Sequence, residues 1–543
     1  MCQPQRIRVI SIMNQLYASY KNYKADKPFD VIIIGSGISG LATGAILSKE
    51  GKRVLVLEQH YTPGGMTHTF KRNDYEWDVG VHYVGEVSSN TMMIKKVYDY
   101  VCDTPIEWAD MGDVYDVAYF GNERYEFRKG RKQFTEYFIA LFPEEKAAIE
   151  KYVELLLAME GYGMGYFAEK VVPGFISKLI GNLMRKKYLK YALRTTKSVL
   201  DELFKNDKLK AILTSQYGDM GLPPGQCSFA MHAGVTKHYM EGGYYPVGGS
   251  GMFFDKIAPV IKKRGGEILV RATVAEIITE NGKAIGVKMS DGKTILAKTI
   301  ISTVGLDITY RKLLPTNIQN DLGIAEKMEG LSNSISYCCL YLGLKHTAAE
   351  LNIPKANFWI FPDKYDHDAN MNDYVSGKTK ELPVVYISFP GAKDPDFQNR
   401  FPGKCTIEII TLVNYDKFKP WENEKWRHRG EEYDKLKETI SNELLEYLYK
   451  RLPQLKGKID YQELSTPLTA KHFGAHPLGE LYGLSHTTER FKSRMLKPET
   501  PIKGLYLAGQ DIITAGVAGG LMSSVICVSH IKKADYVKKI MKS

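Results

Sequence analysis

The chain has 543 residues, 44% hydrophobic and 25% charged, which excludes the disordered and low-complexity classes. A net charge of +11 over this length is too thin to mark a nucleic-acid binder. Seven cysteines, an odd number with no CxxC pair, exclude a disulfide framework and a zinc centre and fit a reducing, cytoplasmic compartment.

Residues 1–25 read as an amphipathic lead-in helix. Ile7, Val9, Ile10, Ile12, Met13 and Leu16 are interrupted by polar residues, so no signal-peptide core is predicted. The first chemical signal follows. Asp30 to Ile34 is a short β-branched strand that runs straight into Gly35-Ser36-Gly37-Ile38-Ser39-Gly40. Leu41 to Glu50 reads as a helix ended by Gly51, and Arg53 to Leu57 as a second strand ending at Glu58. Strand, GxGxxG, helix, strand and acid in about 30 residues form a dinucleotide-binding unit. Gly35 permits the tight turn, Gly37 lets a pyrophosphate approach the backbone, and Gly40 lets helix and strand pack closely. The helix start at Ile38 and Ser39 offers free N–H groups and a positive dipole end. Glu58 is placed to bond an adenosine ribose. Gly64-Gly65 then brings the backbone, with Gln59 and Met66, close around a second part of a larger cofactor.

Lys170 to Leu200 contains no acid and eight basic residues: Lys170, Lys178, Arg185, Lys186, Lys187, Lys190, Arg194 and Lys197. Phe175, Ile176, Leu179, Ile180, Leu183, Met184, Leu189 and Leu193 are interleaved with them at helical spacings. The pattern predicts a helix lying on an anionic membrane surface, against the plainer reading of a core helix with a solvated basic face. Gly248 to Arg264 reads as a helix and Gly265 to Val270 as a strand. Ala284 to Met289 and Lys293 to Ile301 read as strands joined at Asp291-Gly292. Val384 to Phe389 and Thr406 to Val413 are further strands. Glu431 to Arg451 is a helix with Leu436, Ile440, Leu444 and Leu448 on one face and a stop at Pro453.

Near the end, Lys503 to Ala508 is a strand followed by Gly509-Gln510-Asp511. Asp511 is suited to the ribityl hydroxyls of a flavin. The helix from about Gly516, with Val517 in its first turn, can aim its N-terminus at the flavin N1–C2=O edge. The two ends of the chain together predict FAD. Ile512 to Ile531 carries no Asp, Glu, Lys or Arg over the length of a membrane span, yet its Gly and Ser content fits a buried cofactor-domain helix better. Only one GxGxxG unit is present, so a reduction would draw electrons from an external donor.

Glu58 to Gly85 (EQHYTPGGMTHTFKRNDYEWDVGVHYVG) resembles the matching stretch of the retinol saturase, carotenoid isomerase and phytoene desaturase family of flavoproteins. It is nearest the retinol saturase branch through Gln59-His60, His68-Thr69-Phe70 and Asp78-Val79-Gly80-Val81-His82-Tyr83. Gly242 to Gly249, Thr466 to Thr469, Tyr482-Gly483-Leu484 and the LAGQD run at Leu507 to Asp511 resemble later elements of that family, in the same order. Met66-Thr67 departs from it, standing where small residues or Cys are expected.

The resemblance implies an α/β fold of the phytoene desaturase and amine oxidase type. A Rossmann-like FAD-binding domain (26–100, 240–320 and 465–543) would be interleaved with a mixed α+β substrate domain (100–240 and 320–465). Val274 would meet the adenine through its backbone. The implied activity is oxidoreduction at a C=C bond of a long apolar polyene or lipid, saturation first, with desaturation and cis–trans isomerisation as alternatives. An amine-oxidase-like flavoenzyme and a non-enzymatic lipid carrier are the other readings. Because an alkene has no oxygen handle, saturation needs an acid beside the accepting carbon. His82 and Tyr482 are the first candidates, and Tyr83 and His476 the next. No HExxH, GxSxG or P-loop is present, which excludes the familiar protease, hydrolase and kinase signatures.

Overall fold

The computed structural model describes residues 16–23 and 27–543. Its first organiser is a six-stranded parallel sheet in the spatial order Ala18–Ser19, Glu267–Val270, Val54–Leu57, Val31–Ile34, Thr299–Ser302, Leu505–Leu507. Val31–Ile34 and Val54–Leu57 are buried at every position. That is why they read as unbroken apolar runs and not as alternating ones: a parallel sheet is covered on both faces. Helix Ile38–Lys49 packs on the sheet and against helix Gly516–Lys532. The uncharged 512–531 segment is therefore core, with Leu521, Val525, Cys527 and Val528 fully buried. No helix among the described residues is long and apolar enough to cross a membrane. The six cysteines among the described residues are buried and unpaired.

Two sequence expectations change here. Most of the expected lead-in helix, residues 1–15, lies outside the described residues, and Ala18–Ser19 is an edge strand pairing with Leu269 and Val270. Lys293 to Ile301 is two strands. Thr294–Leu296 pairs with Lys283–Met289 in a small antiparallel sheet, and Thr299–Ser302 enters the parallel sheet beside Val31–Ile34. Burial tells them apart, since Ile300 and Ile301 are fully enclosed while Thr294 and Leu296 are exposed.

The second organiser is a seven-stranded sheet in the order Ile459–Ser465, Ser336–Leu344, Cys405–Val413, Val385–Ser388, Asn357–Phe361, Val114–Phe120, Glu123–Arg128. All pairs are antiparallel except Asn357–Phe361 with Val114–Phe120. Strands from before residue 130 and after residue 335 thus share one sheet.

The basic stretch folds as helix Gly174–Ala192 and, after Thr195 caps the backbone N–H of Ser198, helix Thr196–Leu203. The first of these is inside out. Ser177, Gly181, Arg185, Tyr188 and Ala192 face the protein. Phe175, Leu179 and Leu183 face solvent at 69%, 81% and 75% exposure, joined by Met164 from the neighbouring helix Lys146–Glu169. Two of the eight basic residues are structural: Arg185 donates to the Phe491 carbonyl and Lys170 to the Leu496 carbonyl, both buried. Lys178, Lys186, Lys187 and Lys190 are exposed beside the apolar face.

Candidate active site

A cavity of about 680 Å³ runs from the GxGxxG turn into the face of the seven-stranded sheet. Gly35, Gly37, Ile38, Ser39, Glu58, Gln59, Gly65, Met66, His82, Val274, Tyr482, Gly509, Asp511 and Val517 all line it. Gly40 stands behind the wall.

The glycines have different reasons. Gly35 has φ +97°, and a Cβ there would press on Thr303. A Cβ at Gly40 would overlap the Gly35 carbonyl oxygen, and one at Gly65 would stand 2.9 Å from Gly37 Cα. A Cβ at Gly37 meets no protein atom and projects into the cavity. The protein's own packing demands three of these glycines, whereas nothing in the protein crowds the fourth.

Helices Ile38–Lys49 and Gly516–Lys532 both begin without a side-chain cap, so their first N–H groups are open to a ligand. Glu58 is buried. Its Oε2 accepts from Ser36 N (3.0 Å) and Ser36 Oγ (2.7 Å), and among the described residues its Oε1 accepts only from His60 N (2.8 Å). One acceptor position on Oε1 is left for a hydroxyl. Asp511, also buried, takes Leu484 N on Oδ1 and Leu306 N on Oδ2, each at 2.9 Å. Arg490, fully buried, donates to the carbonyls of Leu484 (2.7 Å), Gln510 (2.8 Å) and Asp511 (2.8 Å). Gly483 has no room for a Cβ beside Asp511. These features suit a flavin dinucleotide: open N–H groups for phosphates, a fixed carboxylate at each end, and open space over Gly37.

The far end is apolar and aromatic, with Phe70, Tyr337, Trp359, Tyr386, Ile410 and Tyr482 on its wall. Behind it lies a buried polar network. His82 Nδ1 is 2.7 Å from Oε2 of Glu408, whose Oε1 accepts from Asp78 N at 2.9 Å. Lys393 Nζ donates to the His82 carbonyl (3.0 Å), Ser388 Oγ (2.8 Å) and Asn357 Oδ1. Burial dominates the titration: Glu408 is pushed up, Lys393 is pushed down, and burial with Lys393 nearby drives the His82 imidazole down to about 3. His82 is therefore a neutral ring held by a carboxyl group. Tyr482 is anchored through its N–H to Ser334 Oγ at 2.8 Å, and burial raises its phenol well above the usual range. Tyr83 sits behind the wall, His476 lies on it, and His472 stays outside the cavity, stacked on Trp426.

Sequence reasoning passed over Thr303, Arg490, Glu408, Lys393 and Asp219. Glu408 did leave a signal, a lone acid in the middle of the apolar run CTIEIITLV. Arg490 left none.

The profile of flavin-containing amine oxidoreductases matches residues 38–531. The chain belongs to this family. It is thus a flavin-type oxidoreductase. An all-trans-retinol 13,14-reductase of Danio rerio is 35% identical, covering 94% of this chain and 86% of that protein. An inactive all-trans-retinol 13,14-reductase of the same organism is 32% identical over 95% and 88%. A prolycopene isomerase of an Oncidium hybrid cultivar is 26% identical over 93% and 84%. In fold, the chain is similar to a putrescine oxidase (TM-score 0.60, 15% identity, 93% of this chain and 99% of that one).

Proposed function

We propose that this member of the flavin family is an FAD-dependent oxidoreductase that saturates a C=C bond of a long apolar polyene. The reading is carried by one observation: a single cavity joins a dinucleotide cradle to an aromatic chamber. The retinol reductase relatives support reduction. FAD is favoured by the paired carboxylates Glu58 and Asp511 at the two ends of the cradle. On this reading Gly35, Gly37, Ile38, Ser39, Gly40, Glu58, Gln59, Gly65, Met66, Val274, Gly509, Asp511 and Val517 hold FAD, and residues 26–100, 240–320 and 465–543 form its domain. The segments 100–240 and 320–465 hold the substrate, with His82 and Tyr482 on the wall beside it. Bound flavin supplies two-electron chemistry at its N5; the chain supplies position, dryness and protons. The electrons come from an external donor.

The test is anaerobic turnover by dithionite-reduced protein with a panel of retinoids, carotenoids and unsaturated fatty acids, read by mass spectrometry. A gain of two mass units is the expected result. Unchanged mass with shifted retention would instead favour the isomerase reading that the prolycopene isomerase relative supports. Release of peroxide with consumption of amines would favour an amine oxidase.

We further propose that substrate is drawn from an anionic bilayer by helix Gly174–Ala192, which makes the enzyme peripheral on a cytoplasmic membrane surface. Exposed Phe175, Leu179 and Leu183 on a helix that buries Ser177, Gly181 and Arg185 invert the pattern of a soluble helix. The four flanking lysines match anionic headgroups. Arg185 takes no part in docking. Vesicles containing phosphatidylserine should pellet the protein in a salt-sensitive manner. Changing Lys178, Lys186 and Lys187 together to Gln should weaken binding by about 3 kcal/mol, roughly 100-fold. Leu179→Asp with Leu183→Asp should abolish it. Pelleting that survives both sets of changes contradicts this docking mode.

A further inference from the structure

Saturation needs a proton donor, and neither His82 nor Tyr482 is well suited to it. His82 is neutral with Nδ1 held by Glu408, and Tyr482 holds its proton more tightly than a free phenol. Another group on the cavity wall has neither limit. Asp219 lies in the turn Ser215–Met220 and lines the cavity. Two glycines bring it there. At Gly218 a Cβ would strike the Trp359 ring. Gly221, at φ +71°, turns the chain away and leaves Tyr482 packed beside it.

The surroundings of Asp219 favour a neutral carboxyl group. Its hydrogen bond is to the Tyr83 hydroxyl, at 3.2 Å. That hydroxyl is closer to Asp116 Oδ2, at 2.9 Å, and has one proton to give. Asp116 also accepts from Gln216 Nε2 (2.7 Å) and Asn357 Nδ2 (2.8 Å), so it is the better-solvated anion of the two. With its proton directed to Asp116, the Tyr83 oxygen offers Asp219 a lone pair, which only a protonated Asp219 can use. The titratable groups facing Asp219 are Asp116, Tyr83, Tyr239, Tyr386 and Tyr482. The buried amine of Lys393 donates to the His82 carbonyl, Ser388 Oγ and Asn357 Oδ1 instead.

We propose that Asp219 is the catalytic acid that protonates the substrate during saturation. This inference rests on the saturation reading above. The π bond of the alkene breaks. One carbon takes the proton of Asp219, and the other receives hydrogen with its electron pair, supplied by reduced flavin. Asp219 is left as a carboxylate and recovers a proton from water; the external donor restores the two electrons. Burial, with Asp116 beside it, pushes the Asp219 carboxyl up to about 8, so the acid form prevails at neutral pH.

Two measurements on purified wild-type, Asp219→Asn and Asp219→Glu proteins test this. The first needs no turnover: the infrared carbonyl band of a neutral carboxylic acid. It should be present in the wild type at pH 7, fade as pH rises through about 8, and lose one component in Asp219→Asn. The second is single-turnover saturation of all-trans-retinol by the reduced proteins in D2O. The wild type should place two solvent deuteriums in the product, one through the exchanged Asp219 acid and one through the solvent-exchanged hydrogen of the reduced flavin, with a rate that falls tenfold per pH unit above about 8. Asp219→Asn should keep its flavin and lose roughly 10²- to 10⁴-fold in rate, with part restored in Asp219→Glu. Saturation by Asp219→Asn at the wild-type rate overturns the proposal. So does an infrared difference spectrum with no neutral-carboxyl band. A wild-type protein that leaves every polyene unchanged overturns the saturation reading itself, while the infrared result still judges Asp219 separately.

Discussion

Replacing Gly37 by alanine is expected to leave the fold intact and strip the protein of its flavin. A Cβ at this position touches no protein atom, so the flavin-free variant should melt at the temperature of flavin-free wild type. The methyl group projects where, on the proposed FAD reading, a pyrophosphate approaches the backbone. An overpacked contact of this kind costs about 1–3 kcal/mol, up to roughly 100-fold in cofactor affinity. Gly40→Ala is the contrast. Its Cβ would overlap the Gly35 carbonyl oxygen, so the turn itself must move, and both melting temperature and flavin content should fall. Flavin content by absorbance and melting by calorimetry separate the two. If Gly37→Ala retains full flavin, the phosphates do not lie over this turn.

Arg490→Met is expected to be the most destabilising single change near the site. The guanidinium is fully buried and ties three carbonyls, Leu484, Gln510 and Asp511, while the Leu484 N–H donates to Asp511 Oδ1. Methionine fills the volume but leaves two buried acceptors and one part-buried acceptor without partners, and Asp511 without its counter-charge. The cost should be about 3–5 kcal/mol, read as a shift in denaturant midpoint, with loss of flavin. Arg490→Lys should fall in between, because one ammonium cannot reproduce the planar fork. A wild-type denaturation curve for Arg490→Met would show that the clamp carries no weight.

The βαβ end of the fold was legible because its constraints are local. The turn, helix and acid of 30–58 are fixed by glycine sterics and by neighbours within one βαβ unit, and residue spacing records such constraints. The 512–531 segment was legible for the same reason: its glycines and serines suit a helix pressed against Ile38–Lys49. The polar network was not. Glu408, Lys393, Asp116 and Asp219 come from four distant segments, and their chemistry arises only when the seven-stranded sheet assembles. Helix Gly174–Ala192 shows a subtler limit. Composition revealed an amphipathic basic helix, but only the packed structure shows that its polar side faces inward, with Arg185 and Lys170 consumed by the Phe491 and Leu496 carbonyls. Ala18–Ser19 was misread as helix because a two-residue edge strand has no periodicity to read.

The most direct test of the account follows flavin and substrate together. Dithionite-reduced protein, freed of excess reductant, is mixed anaerobically with all-trans-retinol while the visible flavin absorbance is recorded. The account predicts that the yellow colour returns in step with the appearance of a retinoid two mass units heavier, one per flavin. A flavin that stays reduced beside unchanged retinoids and carotenoids, or a purified protein with no flavin at all, would contradict it.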